Sequence, residues 1–131
     1  MLSQPPKALD HVWILATILF TVSSQLLIKW QVGLAGTLPA STHDRVVYVA
    51  SLFLRPWVIV AVASTFMAGV TWMIALGKFD LSYAFPFSAL TFPLVLAAGF
   101  LFFAEPVTMH KLVGLALIMI GVAVIGAGPS Q

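Results

Sequence analysis

The sequence predicts an all-α membrane protein of four transmembrane helices. Three observations predict it: the shortage of charge, the length of the apolar stretches, and the brevity of most connections between them. Hydrophobic residues fill 61% of the 131 positions and charged residues only 8%, whereas soluble domains carry about 25% charged residues. A hydrocarbon layer about 30 Å thick is crossed by about 20 apolar residues in a helix. Four such stretches fit, over residues 12–32, 57–76, 81–104 and 112–127. The expectation is a single transmembrane domain over 1–131 with almost no soluble part.

Composition also excludes several function classes. Six Lys plus Arg stand against four Asp plus Glu with no basic run, so nothing offers a nucleic acid an electrostatic footprint. There is no Cys, and the three His are scattered with no clustered carboxylates. No metal site, no cofactor and no catalytic constellation are expected, and the chain does not read as an enzyme.

The first span, 12–32, is longer than the 7–15 apolar residues of a signal peptide and carries Gln25 and Lys29, so it is expected to remain in the mature protein. The connection 33–56 reads as a loop followed by a short amphipathic helix at headgroup level. In it Asp44 and Arg45 would lie in water while Val47 and Leu54 dip inward, and Pro56 would open the second span. Gly77-Lys78-Phe79-Asp80 and Glu105-Pro106-Val107-Thr108 are short enough to force antiparallel hairpins, with Thr108 suited to capping the last helix. An even number of spans puts both termini on one side. One face would carry Lys7 and Lys78, the other Lys29, Arg45, Arg55 and Lys111; that count leans toward termini outside by too small a margin to fix the orientation.

Polar residues inside a span cost free energy unless they meet a neighbour or a cavity, which makes them the informative ones. In the first span Thr17, Thr21, Gln25 and Lys29 recur every four residues, with Ser24 beside them, forming one stripe expected to face the protein interior. Two readings stand for the hydroxyls: bonding to their own helix backbone, or lining a groove. For Lys29 the choice is between an anchor that snorkels to the interface and an anion site. An ammonium at the mouth of a groove, with the Gln25 amide one turn deeper, suits a phosphate followed by a hydroxyl-rich group. The third span contains Pro86 and Pro93 and should be kinked, with the freed carbonyls turned toward protein or cavity. Ser82 and Tyr83 near its start either bond a headgroup or belong to the interfacial aromatic belt. The last span has Gly114, Gly121 and Gly128 at seven-residue intervals, a face for helix association. Asp80 and Glu105 lie at helix ends, where solvated or capping roles are the default. No Asp or Glu lies deep in a span, so the shared carboxylate of a proton-coupled exporter of cationic drugs is missing.

Taken together these motifs resemble the drug/metabolite transporter superfamily in its four-helix, small multidrug resistance-like form, and within it the aminoarabinose-phosphoundecaprenol flippase subunits. Ser23-Ser24-Gln25-Leu26-Leu27-Ile28-Lys29 resembles the flippase pattern of a small residue, Gln-Leu, then Lys. Ala84-Phe85-Pro86 resembles its Ala-Tyr-Pro with Phe in place of Tyr, and Glu105-Pro106-Val107 with Gly114 and Gly121 resembles the hinge and last helix of the superfamily. The Glu that defines the multidrug branch would fall near Thr21 and is absent. The resemblance implies a small multidrug resistance-like bundle in which three helices line a pathway and the fourth dimerises, usually with an antiparallel partner.

The expected function is that of a subunit flipping a polyprenyl-phosphate-linked sugar across a bacterial inner membrane, as a homodimer or as a heterodimer with a related four-helix chain. Lys29 would hold the phosphate, while Gln25, Ser24, Thr21, Tyr83 and Ser82 would bond the sugar. The alternatives are an exporter of small molecules or metabolites and an accessory subunit of a membrane glycosyltransferase.

Overall fold

A computed structural model of the chain describes residues 5–129, which are helical almost throughout. A 3-10 turn, Ala8–Asp10, leads into α1 (His11–Ala35); α2 is Thr42–Phe53 and α3 is Pro56–Leu76. The third span divides into α4 (Leu81–Phe87), a 3-10 turn at Ser88–Leu90 and α5 (Thr91–Phe103); α6 is Met109–Gly126. Four helical stretches are long and apolar enough to cross a membrane: Ala8–Ala35, Pro56–Leu76, Leu81–Phe103 and Met109–Gly126. The chain is thus a multi-pass membrane protein of all-α class.

Local chemistry sets the boundaries. The first helix runs past residue 32 because Val32, Gly33, Leu34 and Ala35 still form backbone bonds at its end, and it stops where Gly36 turns to φ 88, a conformation that costs glycine little. α2 is capped by Ser41, whose hydroxyl accepts from the Asp44 N–H at 3.1 Å and donates to the Asp44 carboxylate at 2.7 Å. Pro56 is the first residue of α3, where its missing N–H leaves no partner unmet. The last helix starts at Met109, three residues ahead of the apolar run, because Thr108 accepts from the Lys111 N–H at 3.4 Å and caps it there.

Pro86 and Pro93 bracket the 3-10 turn of the third span. Proline withdraws a donor from the carbonyl four residues back, here those of Ser82 and Ala89, and hydroxyls bond other carbonyls within the turn. Ser88 donates to the Phe85 carbonyl at 2.6 Å and Thr91 to the Ser88 carbonyl at 2.8 Å. The span therefore crosses as one element with a tightened middle.

The closest packing joins α1 and α3. The α3 residues that disappear are small, with Ala61, Ala68 and Ala75 at 0%, 7% and 0% exposure, so the backbones approach closely, as small-residue interfaces in membranes allow. Against them lie Ile14, Ile18 and Val22 of α1, joined by Phe79 and Ala84; Trp13, Trp72, Tyr83 and Phe87 pack around this core. Across the interface Thr17 and Thr71 share a hydroxyl contact of 2.8 Å. By contrast α6 is barely buried, with Val122 its one buried residue. It approaches the chain where Gly126 meets Phe87, whose ring would stand 3.1 Å from any Cβ added there. The large apolar residues left outside, among them Leu101, Phe102 and Leu117, match a hydrocarbon surrounding.

Candidate functional site

Four antiparallel spans bring the end of α1 and the end of α5 to the same side of the molecule, and that side holds the charged site. Lys29, on the penultimate turns of α1, extends its Nζ to 3.1 Å from Oε1 of Glu105, in the connection between α5 and α6. The sequence pattern gave Glu105 only a solvated or capping role, so this pairing is a correction to it. A clue lay in the topology: Glu105 is the one acidic residue between the third and fourth spans, and that hinge must share a face with the end of the first.

The backbone is shaped to hold the Glu105 carboxylate where it is. Ala104 takes the left-handed conformation, φ 52, which costs a side-chain-bearing residue roughly 1–2 kcal/mol. This reverses the chain so that the Glu105 N–H donates to the Gly99 carbonyl at 3.0 Å. The carboxylate then folds over Gly99, where an added Cβ would lie 2.8 Å from Oε2. A larger residue there would displace the carboxylate from this position.

Lys29 and Glu105 face an open cleft between α1 and α5. Its charged end, of about 290 Å³, is lined by Lys29, Trp30, Gly33, Leu34, Phe103 and Glu105. A neighbouring apolar stretch of about 400 Å³ shares Trp30 and Phe103 and continues along Leu26, Leu27 and Phe102. The two side chains of the ion pair stay 59% and 42% exposed. Exposed pairs add only about 0–1 kcal/mol to stability, so this one is a poor structural clamp and an accessible pair of charges.

The remaining residues singled out by the sequence do not all converge on this cleft. Gln25, one turn below Lys29, is exposed and Thr21, one turn below that, is half-buried, and neither lines the cleft. The stripe expected to face the protein interior turns outward at Gln25 and Lys29, because α1 packs on α3 through its other face, with Ile14, Ile18, Val22 and Ser24. Ser24 lies on another face: it is 3% exposed, and its hydroxyl donates to the Thr21 carbonyl at 3.2 Å. Thr17, Ser24 and Gln31 recur every seven residues on the side toward α3, where Thr17 meets Thr71 and Gln31 meets Arg55. Tyr83 is at the opposite end of the molecule. Its hydroxyl is 3.3 Å from Nε2 of His11, eighteen residues before Lys29 along α1 and so about 27 Å away at the helical rise. Ser82 is exposed beside it. One headgroup cannot touch Lys29 and Tyr83 at once.

Sequence reasoning also passed over Gln31. It is buried to 4% exposure, and its side-chain and backbone carbonyl oxygens accept from Nη1 of Arg55 at 3.3 and 3.5 Å, tying the end of α1 to the start of α3. On α6, added Cβ atoms at Gly114 and Gly121 would meet nothing within 4 Å. Gly114 lines a groove of about 240 Å³ with Phe92, Leu96, His110, Lys111, Leu115 and Ile118. Among the described residues no three of His, Asp and Glu gather as a metal site would require.

Fold and site together define a small multi-pass membrane protein with a cleft that is charged at its mouth and apolar along its length. Its relatives agree with that class. The chain is 28% identical over 118 residues to the probable 4-amino-4-deoxy-L-arabinose-phosphoundecaprenol flippase subunit ArnE of Aeromonas salmonicida, a match covering 90% of this chain and 97% of that one. It is 28% identical over 122 residues to the corresponding subunit ArnF of Aeromonas hydrophila, covering 92% and 81%. Against ArnE of Pseudomonas aeruginosa identity rises to 37% over 71 residues, 54% of this chain and 62% of the relative. The match to ArnE of Aeromonas hydrophila likewise spans 62% of that protein. No family model matches the chain, and no solved structure matches it.

Proposed function

We propose that the chain, a single four-helix transmembrane domain, is one subunit of a flippase that carries a polyprenyl-phosphate-linked sugar across the bacterial inner membrane. The observation that carries this reading is the α1–α5 cleft, in which Lys29, paired with Glu105, sits at the mouth of an open apolar groove. That division of chemistry suits an amphiphile with an anionic phosphate at its junction. Lys29 takes the phosphate and the first isoprene units lie along Leu26, Leu27 and Phe102. Gln25 and Thr21, on successive turns below Lys29, supply partners to sugar hydroxyls as the headgroup moves inward. The similarity to proteins named as flippase subunits supports the same reading.

One copy encloses little, and the open face of α6 around Gly114 and Gly121 supports association with a second four-helix chain, the same or related, in parallel or inverted orientation. Gly128 extends that series beyond the helix end, and Pro86 and Pro93 set the tightened turn about which the third span bends.

The test is binding of an undecaprenyl-phosphate-linked hexose to the purified chain in nanodiscs. Lys29→Ala should weaken binding on the order of tenfold, the scale of a lost charge-assisted contact. Wild-type affinity in Lys29→Ala would remove the phosphate role.

A further inference from the structure

Lys29 is already paired: Glu105 lies 3.1 Å from it, and its carboxylate folds over Gly99 just beyond the left-handed turn at Ala104. Resting on the flippase reading above, we infer that Glu105 is a specificity-determining residue that admits a singly charged phosphodiester at Lys29 and disfavours the doubly charged phosphomonoester of the unglycosylated carrier lipid.

The argument is one of charge. A polyprenyl-phosphate sugar is a phosphodiester with one negative charge, whereas the bare polyprenyl phosphate is a monoester whose second ionisation falls near pH 6, so at pH 8 it carries close to two. Either must share Lys29 with a carboxylate a few ångströms away, because the bond from the Glu105 N–H to Gly99 anchors the backbone that carries it beside the end of α1. The first charge of the ligand is met by Lys29. A second would face Glu105 with no cation left for it.

The other cations on this side make contacts outside the cleft: Arg45 donates to the Pro39 carbonyl at 2.8 Å and His43 lies 3.6 Å from the Asp44 carboxylate. Lys111 donates to the Pro106 carbonyl at 2.9 Å and Arg55 to Gln31 at 3.3 Å, while His110 lies on the α5–α6 groove rather than in the cleft. A transporter that rejected the monoester would not carry the empty carrier in competition with its loaded form.

The test compares three probes, undecaprenyl phosphate and undecaprenyl-phosphate-linked esters of a neutral hexose and of an amino sugar, bound to the full chain in nanodiscs at pH 8. Wild type should favour the diester. Glu105→Gln should tighten the monoester on the order of tenfold, the scale of one unit charge beside a half-exposed carboxylate, and change the diester less, so that the preference collapses. Gly99→Ala, whose Cβ displaces the carboxylate without removing its charge, should shift the preference the same way but by less than Glu105→Gln.

Lys29→Ala separates this inference from the reading beneath it. If Lys29→Ala weakens both lipids while Glu105→Gln and Gly99→Ala leave their ratio at the wild-type value, the selectivity role is wrong and the phosphate site stands. If Lys29→Ala changes neither, both fall. Should Glu105→Gln instead weaken an amino-sugar diester and leave the monoester untouched, the carboxylate would be a partner for an ammonium group, and the inference would be overturned.

Discussion

Ala75→Leu probes the packing on which the whole arrangement is built. Ala75 is fully buried, at 0% exposure, where α3 meets α1, and its cluster includes Ile14, Ile18, Phe79 and Ala84. Leucine would add three carbon atoms to a position with no free surface. Overpacking of a closed interior costs about 1–3 kcal/mol, or roughly a 5- to 150-fold change in an equilibrium constant. The upper half of that range is expected, because the neighbours come from both sides of a helix pair and neither backbone can retreat without breaking the Thr17–Thr71 contact one turn away.

The assay is reversible unfolding in mixed micelles with rising SDS, followed by tryptophan fluorescence. Trp13 and Trp72 both pack against this cluster and report on its opening. Ala75→Leu should unfold at a clearly lower SDS fraction than wild type. Unfolding at the wild-type fraction would mean that α1 and α3 do not meet through Ala75, and the placement of Lys29 relative to α5 would lose its foundation.

The same titration tests the polar tie at the other end of α1. Gln31→Leu keeps the volume and removes the side-chain acceptor of Arg55 while leaving the backbone carbonyl at 3.5 Å in place, and because the lost bond is long, at 3.3 Å, the loss should be about 1 kcal/mol rather than the 1.5–3 kcal/mol of a short charge-assisted bond. A wild-type midpoint would show that Arg55 finds an equal partner in water. On α6, where added Cβ atoms at Gly114 and Gly121 meet nothing, the double change Gly114→Leu with Gly121→Leu should leave the unfolding midpoint within about 0.5 kcal/mol of wild type. It should also convert an associated species to single chains in native mass spectrometry. Retained association would place the interface elsewhere.

The spans were legible because hydrocarbon thickness imposes a length and a composition that few other constraints imitate. Their ends were less so, since a cap such as Thr108 or a turn such as Gly36 overrides the apolar boundary by a few residues. On α1, the i, i+4 line through Thr21, Gln25 and Lys29 could be read directly from helical spacing, but not which way it faces, and only Lys29 of the three lines the cleft. Ser24 could not be placed, because one residue along the helix is 100° around it, and that rotation turns it toward α3. Tyr83 was drawn into the same site by its chemistry alone, although topology puts the start of the third span beside the start of the first. Glu105 depends on a contact across 76 positions of sequence, and only a folded chain brings its hinge back over Lys29.

The attachment of α6 has a mechanical consequence. At one end it hangs from the short tether Ala104–Thr108, and toward the other it rests through Val122 and through Gly126 on the Phe87 ring. The α1–α3 pair, seamed by alanines, has no such slack. Any tilt within a single copy is therefore borne by the second half of the chain, and its pivot lies at the end of the molecule farthest from Lys29, where a small rotation sweeps the widest arc across the mouth of the cleft.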